Sequence, residues 1–188
     1  MSSTRMNRRI VLAARPKGEP QDTDFRLEEA AIPRPADHQV LLRILYLSLD
    51  PYMRGRMNEG PSYAPPVSIG EVMEGGTVAE VIESRSPKWK PGDIVLSYAG
   101  WQEYAVADPE GLRKLNPSTA PISTALVPIH EGCDVFCQEK ELVSKLEGKL
   151  GDDHKVTEFE SGSNDLFAEC CHIVLVGVAD LFDKPMSP

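Results

Sequence analysis

Residues 39–57, QVLLRILYLSLDPYMRGRM, contain an apolar run that stops at a proline. Residues 39–50 carry too many apolar side chains for a strand with one face in water, and Pro51 ends the run. The pattern therefore predicts a buried core strand. Directly after it come Tyr52, Met53 and Arg54, so an aromatic hydroxyl and a guanidinium lie at the end of the predicted core strand.

Further short strands are predicted downstream, with turn residues between them. Residues 75–84, GGTVAEVIES, follow a glycine pair, and residues 90–100, KPGDIVLSYAG, open with a proline–glycine–aspartate turn. Residues 101–108, WQEYAVAD, come next, with Trp101 and Tyr104 as expected core residues. Strands recurring roughly every ten residues between Pro and Gly are typical of a small barrel or sandwich.

Composition limits the classes of function. An apolar fraction of 41% in 188 residues fits a globular chain with one sizeable core. No stretch approaches the ~20 apolar residues of a membrane helix, and the N-terminal run at residues 10–14 is too short for a signal peptide. We therefore expect a cytoplasmic protein without a membrane partner. The net charge of −9 argues against a nucleic-acid partner.

The charge is unevenly distributed along the chain. Residues 1–125 hold 15 Lys and Arg against 16 Asp and Glu, whereas residues 126–188 hold 5 against 13. All four cysteines lie after residue 130, and both tryptophans and all tyrosines lie before residue 105. These shifts coincide, so we predict a first domain over residues 1–126 and an acidic C-terminal segment over residues 127–188.

The C-terminal segment predicts a short α/β piece. Residues 136–151 have leucines at helical spacing, which favours an amphipathic helix. Residues 173–176 are strand-like, and a single glycine, Gly177, follows them. A Rossmann domain needs a glycine-rich turn, a helix and a second strand, and eleven further residues are too few for these. We expect no complete Rossmann domain, and the cofactor-binding residues remain unknown.

The cysteines raise a metal hypothesis. Cys133 and Cys137 have three residues between them, and Cys170-Cys171-His172 follow more than thirty residues later. Zinc sites more often use C-x2-C or C-x4-C spacing, and disulfides are rare in cytosolic proteins. We interpret these residues as reduced cysteines that behave as small apolar side chains, with zinc and a disulfide as the alternatives.

The motifs of the first region, taken together, resemble a known family. DPYMR at 50–54, GGTVAEVIES at 75–84 and GWQEY at 100–104 are similar to the zinc-independent medium-chain reductases, which include NADPH-dependent curcumin and prostaglandin (leukotriene B4 dehydrogenase) reductases. The resemblance covers about residues 8–126. It implies a mainly β fold, with a GroES-like twisted β-barrel, and NADP(H) as cofactor. The implied substrate is a small apolar α,β-unsaturated ketone or aldehyde, whose carbon–carbon double bond is reduced.

The resemblance also points to Tyr52 as the catalytic candidate. Zinc-dependent relatives carry metal ligands where this chain has the DPY element and, further on, Val72 and Met73, so we expect no zinc. Without a metal, a hydrogen-bond donor must stabilise the enolate oxygen, and a tyrosine hydroxyl is protonated at neutral pH. Pro51 fixes the backbone before Tyr52 and would preorganise its ring.

Other interpretations of these residues stay open. Tyr52 is alternatively a packed aromatic at the barrel rim, and Arg54 is alternatively a positioning group in an ion pair. Met53, Arg54 and Tyr63 are the candidates for the wall of the substrate or cofactor pocket, with Tyr63 on a flanking loop.

Three hypotheses about function remain. The chain is an enone reductase whose nucleotide site is lost or supplied by another chain; or it is a truncated, non-catalytic relative that binds a ligand or partner through its barrel; or it is a rearrangement product whose C-terminal segment has no role. A homo-oligomer is left open. We expect weak or no NADPH binding by the isolated chain, because the phosphate-binding loop was not found.

Overall fold

The computed structural model describes residues 5–60, 64–119, 121–126 and 174–178. These residues include eight strands and a short α-helix. The strands are β1 (Met6–Leu12), β2 (Phe25–Ala31), β3 (Val40–Leu49), β4 (Thr77–Ser84), β5 (Ile94–Ser97), β6 (Tyr104–Ala107), β7 (Arg113–Leu115) and β8 (Val174–Gly177), and the helix is α1 (Tyr52–Arg56). Short 3-10 turns occupy Asp22–Asp24, Pro109–Gly111 and Ile122–Leu126.

Strand β3 is the centre of the structure. It is ten residues long, and seven of them are buried. One edge pairs with β4, while the other edge is shared between β6, opposite Val40 to Arg43, and β8, opposite Tyr46 to Leu49. A strand paired on both edges and covered on both faces needs a nearly continuous apolar sequence. The core strand predicted over residues 39–50 is therefore confirmed.

The strands form two sheets that β1 joins. The larger sheet has the order β6-β3-β4-β5-β7, with β8 beside β3, and the smaller sheet is β1-β2. The Ile10 N–H of β1 donates to the Trp101 carbonyl at 2.9 Å, and the Met73 N–H donates to the Ile10 carbonyl at 3.0 Å. These bonds connect β1 to two loops of the larger sheet. The result is the mainly β, GroES-like barrel that the sequence predicted.

Two apolar clusters fill the two sides of the larger sheet. The main cluster contains β1, β3, Met53 and Trp101, and the smaller one forms around Val78 and Leu126. Trp101 and Tyr104 are each 3% exposed, so both are core residues, as predicted. The strands predicted within 75–84, 90–100 and 101–108 correspond to β4, β5 and β6.

Part of the C-terminal segment belongs to the larger sheet. The strand predicted at residues 173–176 matches β8, and Val178 after it is buried in the main cluster. The predicted helix at 136–151 and all four cysteines lie outside the described residues. The boundary between residues 126 and 127 stays a prediction. Over the described ranges, no helix has the length and apolar character of a transmembrane span.

The register of β8 defines which backbone groups of β3 it covers. The Ser48 N–H donates to the Gly76 carbonyl at 2.9 Å, on the β4 side of β3. Because N–H groups alternate along a strand, those of Leu47 and Leu49 point to the opposite edge. There Leu47 stands opposite Val176, and Leu49 stands opposite Val174.

Proline at two adjacent positions tests this pairing. Val176→Pro removes an N–H that faces Leu47, so we expect amide exchange at Leu47 and Leu49 to accelerate about 10-fold or more while Ser48 stays protected. Leu175→Pro is the matched control, because the N–H of residue 175 faces away from β3 and its loss is tolerated at an edge. Hydrogen exchange followed by NMR measures this, and equal effects of the two prolines would contradict the register.

Candidate active site at the end of strand β3

The end of β3 passes directly into helix α1 through Asp50 and Pro51. Pro51 has φ −52° and ψ −38°, a helical conformation that its ring favours. The Met53 N–H donates to the Asp50 carbonyl at 3.0 Å, which begins the first turn. Tyr52 is thus the first residue of a helix anchored to the most buried strand. The sequence analysis took this element as a strand end and did not predict the helix.

Tyr52 is half-buried and contacts a second tyrosine, Tyr98. The two hydroxyl groups are hydrogen-bonded, and either oxygen can be the donor. The ring centres are 6.5 Å apart, with 24° between the ring planes. On another side, the Arg56 guanidinium lies 5.9 Å from the centre of the Tyr52 ring. Tyr52 therefore contacts two side chains, one from its own helix and one from a distant part of the chain.

Arg56 is a buried cation that Glu74 neutralises. Its side chain is 9% exposed, and its Nε lies 2.9 Å from Glu74 Oε1. Its Nη1 also donates to the Pro65 carbonyl at 3.3 Å. A buried charge is stable only when it is paired and hydrogen-bonded. The pair therefore fixes the guanidinium over the face of the Tyr52 ring, in a cation–π arrangement.

The surroundings of Tyr52 keep its hydroxyl protonated. Burial is the main effect that raises the pKa of the Tyr52 phenol above its ordinary value of 10.0. The negative charges of Asp50 and Glu74 act in the same direction. Tyr52 is consequently a hydrogen-bond donor rather than a phenolate, as a group that binds a carbonyl oxygen must be.

The backbone around Tyr98 is held by the pairing of β4 with β5 and by a turn at Gly100 that lies close to Gly75. Thr77 Oγ1 and Ser97 Oγ are hydrogen-bonded at 2.6 Å across β4 and β5, and the Ala99 N–H donates to Thr77 Oγ1 at 3.2 Å. Gly100 then turns the chain with φ +75°, and its N–H donates to the Gly75 carbonyl at 3.2 Å. Tyr98 is therefore presented by a fixed turn.

The other candidates from the sequence occupy different places. Met53 is 1% exposed in the main cluster beneath α1. Arg54 lies on the surface, where its guanidinium donates to Asn58 Oδ1 at 2.7 Å and to the Gly18 carbonyl at 2.6 Å. Tyr63 lies outside the described residues.

The sequence analysis gave no role to Tyr98, Arg56 or Glu74. A large aromatic residue next to a glycine turn, as in SYAG at 97–100, was the available signal for Tyr98. The signal for Arg56 was its spacing of four residues from Tyr52, which places both on one face of a helix.

Val72 and Met73, where the sequence analysis expected no zinc ligand, are part of the apolar framework. Val72 forms a bridge with Val11 of β1, and Met73 is fully buried in the main cluster. In the described part of the chain, no group of three His, Cys, Asp or Glu side chains is arranged to hold a metal ion.

A nicotinamide dinucleotide does not fit the described residues as a complete ligand. Its pyrophosphate requires a glycine-rich turn at the N-terminus of a helix within a strand–helix–strand frame. Helix α1 has five residues and follows a proline rather than a glycine-rich turn. What the described residues offer is a hydrogen-bond donor for an oxygen atom.

Comparisons with known proteins agree with this architecture. A family model for the N-terminal domain of oxidoreductase matches residues 8–115. The NADPH-dependent curcumin reductase of Escherichia coli (strain K12) is 56% identical over 117 residues, which cover 60% of this chain and 34% of the relative. Prostaglandin reductase 1 of Oryctolagus cuniculus is 39% identical over 115 residues, covering 58% of this chain and 30% of the relative.

A solved structure has the same fold. The crystal structure of CurA from Vibrio vulnificus is 53% identical, with a TM-score of 0.61, over 64% of this chain and 35% of that one. The chain thus spans about a third of the length of these three relatives.

Substitution of Gly100 tests whether its close packing against the Met73 carbonyl holds the turn that carries Tyr98. A Cβ at this position would lie 2.4 Å from the Met73 carbonyl oxygen, and φ is positive. We expect Gly100→Ala to lower the free energy of unfolding by about 2–5 kcal/mol, which combines left-handed strain with a steric clash. Gly92→Ala is the control, because Gly92 has φ +88° with open space around it and should lose only about 1–2 kcal/mol. Urea unfolding measures both, and equal losses would contradict the clash.

The raised pKa of Tyr52 predicts a pH dependence of stability. Below about pH 10 the folded and unfolded states both keep the proton, but above it the unfolded chain loses its proton first. The contribution of Tyr52 to the free energy of unfolding therefore falls as the pH rises above this value. Between about pH 9 and pH 11, the unaltered chain should lose more stability in urea unfolding than Tyr52→Phe. Parallel losses would show that Tyr52 titrates normally.

Proposed function

The chain belongs to the family of curcumin- and prostaglandin-reductase-like oxidoreductases, whose N-terminal domain it carries, and on that premise we propose that its barrel supplies the carbonyl-binding side of an NADPH-dependent enone reductase. The observation that supports this most directly is the position of Tyr52, a half-buried tyrosine at the start of α1 whose hydroxyl contacts that of Tyr98. In the proposed reaction, the carbon–carbon double bond of an α,β-unsaturated ketone or aldehyde is reduced.

Tyr52 has the chemistry that such a substrate requires. When hydride adds to the β-carbon of an enone, negative charge develops on the carbonyl oxygen. A fixed donor stabilises this charge more than it stabilises the neutral ground state, which is how a preorganised hydrogen bond lowers a barrier. In this proposal Tyr52 is the catalytic residue, while Arg56 and Glu74 are positioning residues that hold its ring.

NADPH is proposed as the cofactor because of the relatives. The Escherichia coli relative is named as NADPH-dependent, and NADPH would supply the hydride. Because the described residues do not fit the dinucleotide, turnover by this chain depends on nucleotide-binding residues outside the described ranges or in another chain. The Tyr52 hydroxyl by itself would also serve a second candidate function, a barrel that binds an unsaturated carbonyl compound without reducing it.

Binding of a simple enone tests the shared part of both functions. Benzylideneacetone is small, apolar and chromophoric, and its absorption moves to longer wavelength when its carbonyl accepts a hydrogen bond. We expect Tyr52→Phe to weaken its binding by about 3–10-fold, the usual value of one neutral hydrogen bond, and to reverse the absorption shift. Tyr46→Phe is the control, because Tyr46 is half-buried beside the smaller cluster and should leave binding unchanged.

Addition of NADPH to the same samples separates the two functions. Consumption of NADPH that requires benzylideneacetone and declines in Tyr52→Phe supports the reductase. Binding without consumption supports the non-catalytic barrel. Failure of the unaltered chain to bind benzylideneacetone, measured by equilibrium dialysis, would overturn both.

A further inference from the structure

We propose that Tyr98 is a positioning residue of this site, which donates its hydroxyl hydrogen to the Tyr52 oxygen and thereby leaves the Tyr52 hydrogen for the carbonyl of the ligand. This inference rests on the proposed function and adds to it a residue from a different part of the chain. The geometric basis is the direct contact between the two hydroxyl groups and the stacking of their rings.

The number of hydrogens on the two phenols decides which arrangement can work. Each tyrosine hydroxyl has one hydrogen and two acceptor lone pairs. Whichever hydroxyl donates to the other has no hydrogen left for a ligand. If Tyr52 donated to Tyr98, the remaining hydrogen would belong to Tyr98, the more exposed of the two. For Tyr52 to bind a carbonyl oxygen, Tyr98 must therefore be the donor within the pair.

The exposure of Tyr98 fits this direction. The residue is 59% exposed, whereas Tyr52 is half-buried, so water reaches the lone pairs of the Tyr98 oxygen. Water can then donate to Tyr98, Tyr98 to Tyr52, and Tyr52 to the carbonyl. Hydrogen bonds in such a chain polarise one another, so each donor strengthens the next. Tyr98 is thus expected to make Tyr52 a better donor.

The position of Tyr98 is determined by the framework rather than by its own packing. A ring that is more than half exposed gains little from burial. Its turn is instead fixed by the Thr77–Ser97 hydrogen bond and by the left-handed conformation of Gly100. The backbone therefore holds the hydroxyl beside Tyr52 even though the ring itself is not enclosed.

A double-mutant cycle on the full chain tests the inference, with benzylideneacetone as the probe. We expect Tyr98→Phe to weaken binding by about 3–10-fold when Tyr52 is present and by less than about 2-fold in the Tyr52→Phe background. A purely structural effect of Tyr98 would lower binding equally in both backgrounds, so equal losses would overturn the inference. No loss in either background would overturn it as well.

A second measurement needs no ligand and separates the inference from the proposed function. Carbon-13 NMR of ring-labelled tyrosines reports the hydrogen bonding of each phenol. We expect Tyr98→Phe to move the Tyr52 ζ-carbon resonance, with Tyr46→Phe as the control that leaves it in place. An unmoved resonance overturns the role of Tyr98 even if the enone binds. Failure of the unaltered chain to bind the enone instead overturns the proposed function, and this inference with it.

Discussion

Both the barrel and the candidate site depend on the pairing of β3 along both of its edges. A strand that is buried on both faces cannot leave backbone N–H and C=O groups without partners, because each unpaired group would cost about 1–3 kcal/mol. Three strands together cover its two edges: β4 on one side, and β6 and β8 on the other. Because the strand is fixed along its length, the residues directly after it are fixed too. Tyr52 obtains its position in this way.

The site at the end of β3 combines a tyrosine hydroxyl that keeps its proton with a buried ion pair. Arg56 and Glu74 lie beside Tyr52, and their charges neutralise each other at 2.9 Å. The nearby carboxylates and the burial of the ring both disfavour the phenolate. The arrangement therefore presents a neutral donor whose ring is held by a cation, and such a donor can stabilise negative charge on an oxygen without first reorganising.

Strand β8 gives part of the C-terminal segment a structural role in this chain. Val174 stands opposite Leu49, one residue before Asp50, so the end of β3 that leads into α1 is paired by a strand far away in sequence. The buried Val178 extends this contact into the main cluster. Without β8, the N–H and C=O groups of Leu47 and Leu49 would form an open edge next to the site, and open edges invite pairing with other chains.

The sequence by itself determined the elements that depend on local pattern. The apolar run at 39–50 specified β3, the turn residues separated the later strands, and the motifs around DPYMR identified the family and made Tyr52 the candidate residue. The helix after Pro51 was not foreseen, and it decides which arginine joins Tyr52. A spacing of four residues places Arg56 over the ring, whereas Arg54 points to Asn58 and Gly18.

Only the tertiary structure could bring Tyr98 to Tyr52. The two residues are 46 positions apart, and their contact results from the register that pairs Thr77 with Ser97 and from the turn at Gly100. Hydrophobic periodicity shows which side chains are buried, but it does not show which distant strands pair or in what register. Register is set by the packing of the whole sheet, so the second tyrosine of the site had no local signature.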